Sequence, residues 1–138
     1  MNKWIKQLAR KPKTLFAIDG LGALSSAFLL AVVLVRWESF FGIPVDILYL
    51  LASVPLVFAA YDLACFLILT SILPFHIRMI AWLNFAYCLL SLGLALNHLP
   101  SITIWGWIYL IAEILIVVLL AILELRLAKY LEHESLGR

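Results

Sequence analysis

Four long apolar runs, at residues 14–36, 46–71, 77–97 and 103–125, fill nearly all of the chain, with three short polar breaks between them. A hydrocarbon core about 30 Å thick takes roughly 20 helical residues to cross, and every run reaches that length. Lipid offers no partner to exposed backbone N–H and C=O groups, so each run must close its own hydrogen bonds as a helix. The pattern predicts an all-α fold, a four-transmembrane-helix antiparallel bundle. Composition agrees: 66% of the residues are hydrophobic and 13% charged, against about 45–50% apolar and 25% charged for a soluble domain. The expected organisation is a basic amphipathic segment over residues 1–13, a transmembrane domain over 14–125 and a C-terminal tail over 126–138. No room is left for a soluble catalytic or nucleic-acid-binding domain. A cleaved leader is not expected, because Asp19, Gly20 and Gly22 interrupt the first run and its apolar stretch continues to Val35.

The basic residues are unevenly placed. Lys3, Lys6, Arg10, Lys11 and Lys13 precede the first run, Arg78 follows the second, and Arg126, Lys129 and Arg138 follow the fourth; only Arg36 falls on the other side. Positive residues stay in the cytoplasm, so both termini are expected inside, in the cytoplasmic membrane of a bacterium. Trp37, Phe40, Phe41, Tyr49, Trp105 and Trp107 would then gather at the outer interface, and Trp4 and Tyr130 at the inner one. Trp4, Ile5 and Leu8 share a helical face, which suits either a short helix in anionic lipid headgroups, the membrane partner the sequence implies, or a frayed basic tail that only fixes topology. Gly42 and Pro44 break the chain between the first two spans. Pro55 lies inside the second, where it frees the Leu51 carbonyl. Beyond Glu124 the chain is expected to continue as a solvated polar helix.

Within the apolar runs stand Asp19, Asp62 and Glu113, with Asn84 in the third run. An acid at a helix centre costs about 2.5–3.5 kcal/mol on insertion scales and is a functional candidate for that reason. A rise of 1.5 Å per residue puts Asp19 about 7 Å, Asn84 about 9 Å and Asp62 about 12 Å from the inner boundary, with Glu113 close to the midplane. Small or polar residues share their faces: Gly22, Ala23 and Ser26 with Asp19; Pro55, Ala59 and Cys65 with Asp62; Tyr87, Cys88 and Ser91 with Asn84; Gly106, Tyr109 and, further along, Glu124 with Glu113. Lys13 and Arg78 are the cations within reach of Asp19 and Asp62, and Glu113 has none. It is expected either to rest as a neutral acid bonded to Ser, Tyr or Asn, or to ionise when water or a cationic ligand enters. Glu124, at the end of its run, is expected to be solvated or paired with Arg126 or Lys129. Asp19, Asp62, Asn84, Tyr87, Tyr109 and Glu113 are thus the candidate ligand- or proton-binding residues.

Other chemistries find little support. The chain has no phosphate-binding loop, zinc-protease helix or nucleophile elbow. His76, His98 and His133 fall on both sides of the expected topology, so no metal site is expected, and no cofactor is implied. Cys65 and Cys88 lie inside apolar runs without C-x-x-C spacing and suit small hydrophobes of a helical core.

The segments Leu15-Phe16-Ala17-Ile18-Asp19-Gly20-Leu21-Gly22-Ala23, Phe41-Gly42-Ile43-Pro44, Tyr61-Asp62-Leu63-Ala64-Cys65, Asn84-Phe85-Ala86-Tyr87-Cys88 and Ile108-Tyr109-Leu110-Ile111-Ala112-Glu113 together resemble a group of uncharacterised small bacterial four-helix integral membrane proteins. That resemblance implies architecture and no activity. Small multidrug exporters and fluoride channels are similar in size and span count only. The sequence favours a small proton-coupled transporter or ligand-binding membrane protein with an intramembrane acidic site over an enzyme. The rival is an accessory or scaffold protein whose buried polar residues only specify helix packing, at about 0.5–2 kcal/mol per interhelical bond. So small a bundle also leaves room for a homo-oligomer that builds its site between subunits.

Overall fold

A computed structural model describes residues 2–68 and 74–137, all of whose regular elements are helical. Met1, the end of the second apolar run at 69–71 with the first two residues of the break that follows, and Arg138 lie outside the described residues. The order is α1 (Asn2–Arg10), α2 (Lys13–Phe28) with a π-helical continuation over Leu29–Leu34, α3 (Glu38–Phe41), α4 (Val45–Ile68), α5 (Pro74–Asn97) and α6 (Ile104–Leu136). Four helical stretches, Lys13–Leu34, Val45–Ile68, Pro74–Asn97 and Ile104–Leu136, are long and apolar enough to cross a membrane. They reproduce the four runs to within a few residues, except that the last extends well past its apolar stretch.

The local chemistry explains the boundaries. Pro12 occupies the turn before α2 with φ −63°, and Pro74 opens α5, both places where a missing N–H costs nothing. α4 runs through Pro55, which is buried. Gly42 ends α3 with φ +72°, the left-handed conformation that a side chain disfavours. The absence of a Cβ also matters there, because one would run into the Ser101 carbonyl oxygen. This closeness lets the Thr103 N–H donate to the Phe41 carbonyl at 3.1 Å, while the Thr103 hydroxyl donates to the Phe40 carbonyl at 2.7 Å. Thr103 is at the same time the cap of α6, its hydroxyl accepting from the Gly106 N–H. Phe40 stacks on Trp105 with centroids 5.5 Å apart, so part of the aromatic set does collect at this end.

α2 and its π-helical continuation pack along α4, and α5 packs along α6; the two pairs touch one another far more sparingly. Two apolar clusters tie the pairs together. One, at the Phe41–Thr103 end, contains Leu30, Leu34, Leu48, Leu51, Ala95 and Leu110. The other, at the α1 end, joins Ile5, Phe16, Cys65, Ile77, Ile80 and Leu127.

The α1 end corrects three expectations. Residues beyond Glu124 are not simply solvated: Leu127 and Ala128 are wholly buried, in one cluster with Ile5 of α1. Ile5, expected on one headgroup-facing side with Trp4, is buried against the protein, while Trp4 is 74% exposed. Neither cation expected near the acids is there. Arg78 pairs with Glu132 at 2.7 Å, and Lys13 lies over the Phe66 ring, 5.9 Å from its centroid.

Candidate functional site

Helical periodicity decides which side chains meet. The polar stripe of α5, Asn84, Tyr87, Cys88 and Ser91, is buried along its whole length, as are Asp19, Asp62 and Glu113 on the other long helices. Two polar groups form on that stripe, about one helical turn apart.

The first is centred on Asn84. Its amide donates to Asp19 Oδ1 at 3.3 Å and to Glu124 at 3.1 Å (Oε2) and 3.4 Å (Oε1). Asp62 of α4 stands against Asp19. Gly20 makes room for it, since a Cβ there would come within 3.3 Å of Asp62 Cβ. Neither oxygen of Asp62 nor Asp19 Oδ2 finds an N–H or O–H donor among the described residues. Carboxyl groups so placed satisfy one another only by sharing protons, since two ionised carboxylates repel at this range. Two acids, from α2 and α6, thus accept from one amide, and a third, Asp62 of α4, stands beside Asp19.

Glu124 is the member that sequence reasoning misplaced. It is completely buried and bonded to Asn84, not solvated or paired with a neighbouring cation. Its face was legible, since Glu113 and Glu124 are eleven residues apart, three turns of a helix; its burial at the end of the run was not.

The second group is centred on Glu113. Its Oε1 accepts from the Tyr87 hydroxyl at 3.1 Å and from the Ser26 hydroxyl. Phe58 meets the Tyr87 ring edge-on at 6.4 Å and helps fix its orientation. Tyr109 lies one turn before Glu113 on α6 and is partly exposed. The second carboxyl oxygen, Oε2, is buried without a partner. None of the four acids pairs with a basic side chain among the described residues.

Sparse packing between the two helix pairs leaves a cavity of 320 Å³. Asp19, Ser26, Asn84, Tyr87, Tyr109 and Glu113 all line it, so five of the six sequence-derived candidates border one space and Ser26 joins them. Asp62 does not; it borders a separate groove between α2 and α4. The remaining lining is apolar, including Leu29, Phe58, Ile116 and Val117. An apolar chamber with a few converging polar groups is the usual form of a small-molecule site. No group of His, Cys, Asp or Glu among the described residues has the arrangement of a metal site. Comparison with protein-family models, curated proteins and solved structures finds no match to the chain.

Proposed function

We propose that this protein is a small proton-coupled transporter or ligand-binding protein of the bacterial cytoplasmic membrane, with Glu113 as the exchangeable acid. In this reading the four long helices form an antiparallel bundle with both termini in the cytoplasm, as the basic residues around α1 and after α6 favour. One observation carries the assignment. The Glu113 carboxyl is held by Ser26 and Tyr87 through a single oxygen, while the other, buried and unpartnered, belongs to a residue that lines the cavity. Asp62 and Asp19 stand beside each other and can share a proton, but no carboxyl stands beside that oxygen of Glu113, and an orphaned buried acceptor costs about 1–3 kcal/mol. An incoming cation or hydrogen-bond donor removes that cost, and binding of a cation releases the acid's proton.

The test is Glu113→Gln in liposomes carrying an internal pH dye, challenged with a panel of primary and tertiary alkylamines. Proton movement beyond that of protein-free liposomes, which neutral amines cross unaided, is expected in the parent protein and its loss in the variant, with folding retained. Equal proton movement in both would refute the assignment.

A scaffold role has its own supporting observation in the Asn84 group, which joins α2, α5 and α6 through hydrogen bonds. It requires that Glu113→Gln leave every activity of a partner complex unchanged.

A further inference from the structure

We infer that the ligand is a lipid-soluble amine that reaches Glu113 sideways, from the hydrocarbon, through a mouth between α2 and α6. The inference rests on the reading of Glu113 as a binding acid and adds to it the route and the ligand class.

No residue lining the cavity belongs to the first or last turn of a long helix. Buried apolar clusters occupy both ends: Leu34, Leu48 and Ile102 on one side, Phe16, Ile77 and Leu127 on the other. The lining residues that are exposed to the surroundings are instead Gly22 and Ser25 of α2, Leu29 of its π-helical continuation, and Ala112 and Ile116 of α6. They face outward along the seam between α2 and α6, two helices that touch only sparingly. Gly22 lies nine residues into the span that starts at Lys13. That is about 14 Å along a core about 30 Å thick, so the opening meets acyl chains, not water. Small residues on both lips keep it open.

A route through hydrocarbon selects its traveller. A cation pays heavily to reach the bilayer centre, whereas a neutral amine with an apolar body partitions there readily. On arrival the neutral amine nitrogen accepts the proton of the Glu113 carboxyl. The O–H bond breaks, an N–H bond forms, and an ammonium–carboxylate pair is left beside Tyr87 and Ser26, with no co-reactant needed. The apolar walls take the remainder of the molecule.

Gly22 supplies the test, because a Cβ built there meets nothing within 4 Å, so a larger side chain narrows the mouth without a clash. Gly93 on α5 is equally free of neighbours and lies outside the cavity, which makes it the control. Binding of phenylbutylamine and of its quaternary trimethylammonium analogue is measured by calorimetry on the full chain in lipid nanodiscs. Gly22→Leu is expected to weaken phenylbutylamine binding or slow its uptake about tenfold, a change of about 1.4 kcal/mol. Gly93→Leu is expected to leave both unchanged. The quaternary analogue, which can neither shed its charge nor take a proton, is expected to bind at least about tenfold more weakly than the amine. Undiminished binding in Gly22→Leu, an equal loss in both glycine variants, or equal affinity for the quaternary analogue overturns the lateral route. If Glu113→Gln still abolishes binding in those cases, the acid site stands without it. If Glu113→Gln binds the amine normally, the reading of the acid itself fails.

Discussion

Glu124 offers the sharpest stability test, because sequence and structure place it in opposite environments. If it were solvated at a membrane boundary, truncation to Ala would change stability by well under about 0.5 kcal/mol. Buried against Asn84, its loss has two costs. The Asn84 amide loses its closer acceptor, and an unsatisfied buried polar group costs about 1–3 kcal/mol. The vacated space adds about 1 kcal/mol. Glu124→Ala is therefore expected to lose roughly 2–4 kcal/mol of stability. Glu124→Gln keeps an oxygen for Asn84 and brings an N–H₂ that can donate to a neighbouring carboxyl, so it is expected within about 1 kcal/mol of the parent. The measurement is reversible unfolding in mixed micelles, titrated with a denaturing detergent. A double-mutant cycle with Asn84→Ala isolates the bond itself, for which membrane interhelical hydrogen bonds suggest about 0.6 kcal/mol and at most about 1.7. A harmless Glu124→Ala, or strict additivity with Asn84→Ala, would refute the buried triad.

Other outcomes follow from the same geometry. Gly42→Ala is expected to lose more than about 2 kcal/mol in the same unfolding assay, because the left-handed backbone alone costs about 1–2 kcal/mol and the new Cβ meets Ser101. Gly20→Ala needs a shift of only a few tenths of an ångström at Asp62 and is expected to cost about 1 kcal/mol or less; a loss as large as that of Gly42→Ala would show that Asp62 is pinned. Arg78→Ala removes an ion pair whose two side chains are 43% and 41% exposed, so its effect is expected below about 1 kcal/mol and smaller still in high salt. Cys65 and Cys88 are buried free thiols, expected to resist a maleimide in nanodiscs and to react after unfolding.

The spans were legible because length and hydropathy are the very quantities the bilayer constrains. The inward faces were legible too, since a period of 3.6 residues aligns Asn84 with Tyr87 and Ser91 whatever surrounds them. Depth was harder to read. Counting residues from the end of an apolar run assumes that the run ends where water begins, and α1 breaks that assumption. By joining Leu127 and Ala128 in one cluster, Ile5 extends the dry interior past the last run, and Glu124 falls inside it. Arg78 was misassigned for a related reason: the helical tail of α6 brings Glu132 within its reach, and no local pattern in α5 announces that. The π-helical turn over Leu29–Leu34 has the sequence LLAVVL, which carries no signal distinguishing it from an ordinary helix.

The two acidic groups call for different readings. In the Asn84 group three carboxyls face each other and an amide, so shared protons can satisfy them without any visitor. Such a group holds α2, α4, α5 and α6 in register and forms the fixed side of the molecule. Glu113 receives all its bonds at one oxygen and borders a space that no side chain fills. It is also served by hydroxyls, which can rotate and either donate or accept, so its surroundings tolerate both a neutral acid and a carboxylate. Loss of an Asn84-group member should therefore appear first in stability and only then in activity. Loss of Glu113 should appear in activity with stability nearly intact. If the two kinds of variant cannot be told apart in paired unfolding and proton-movement assays, the division of labour between the acids is wrong, and all four belong to one packing network.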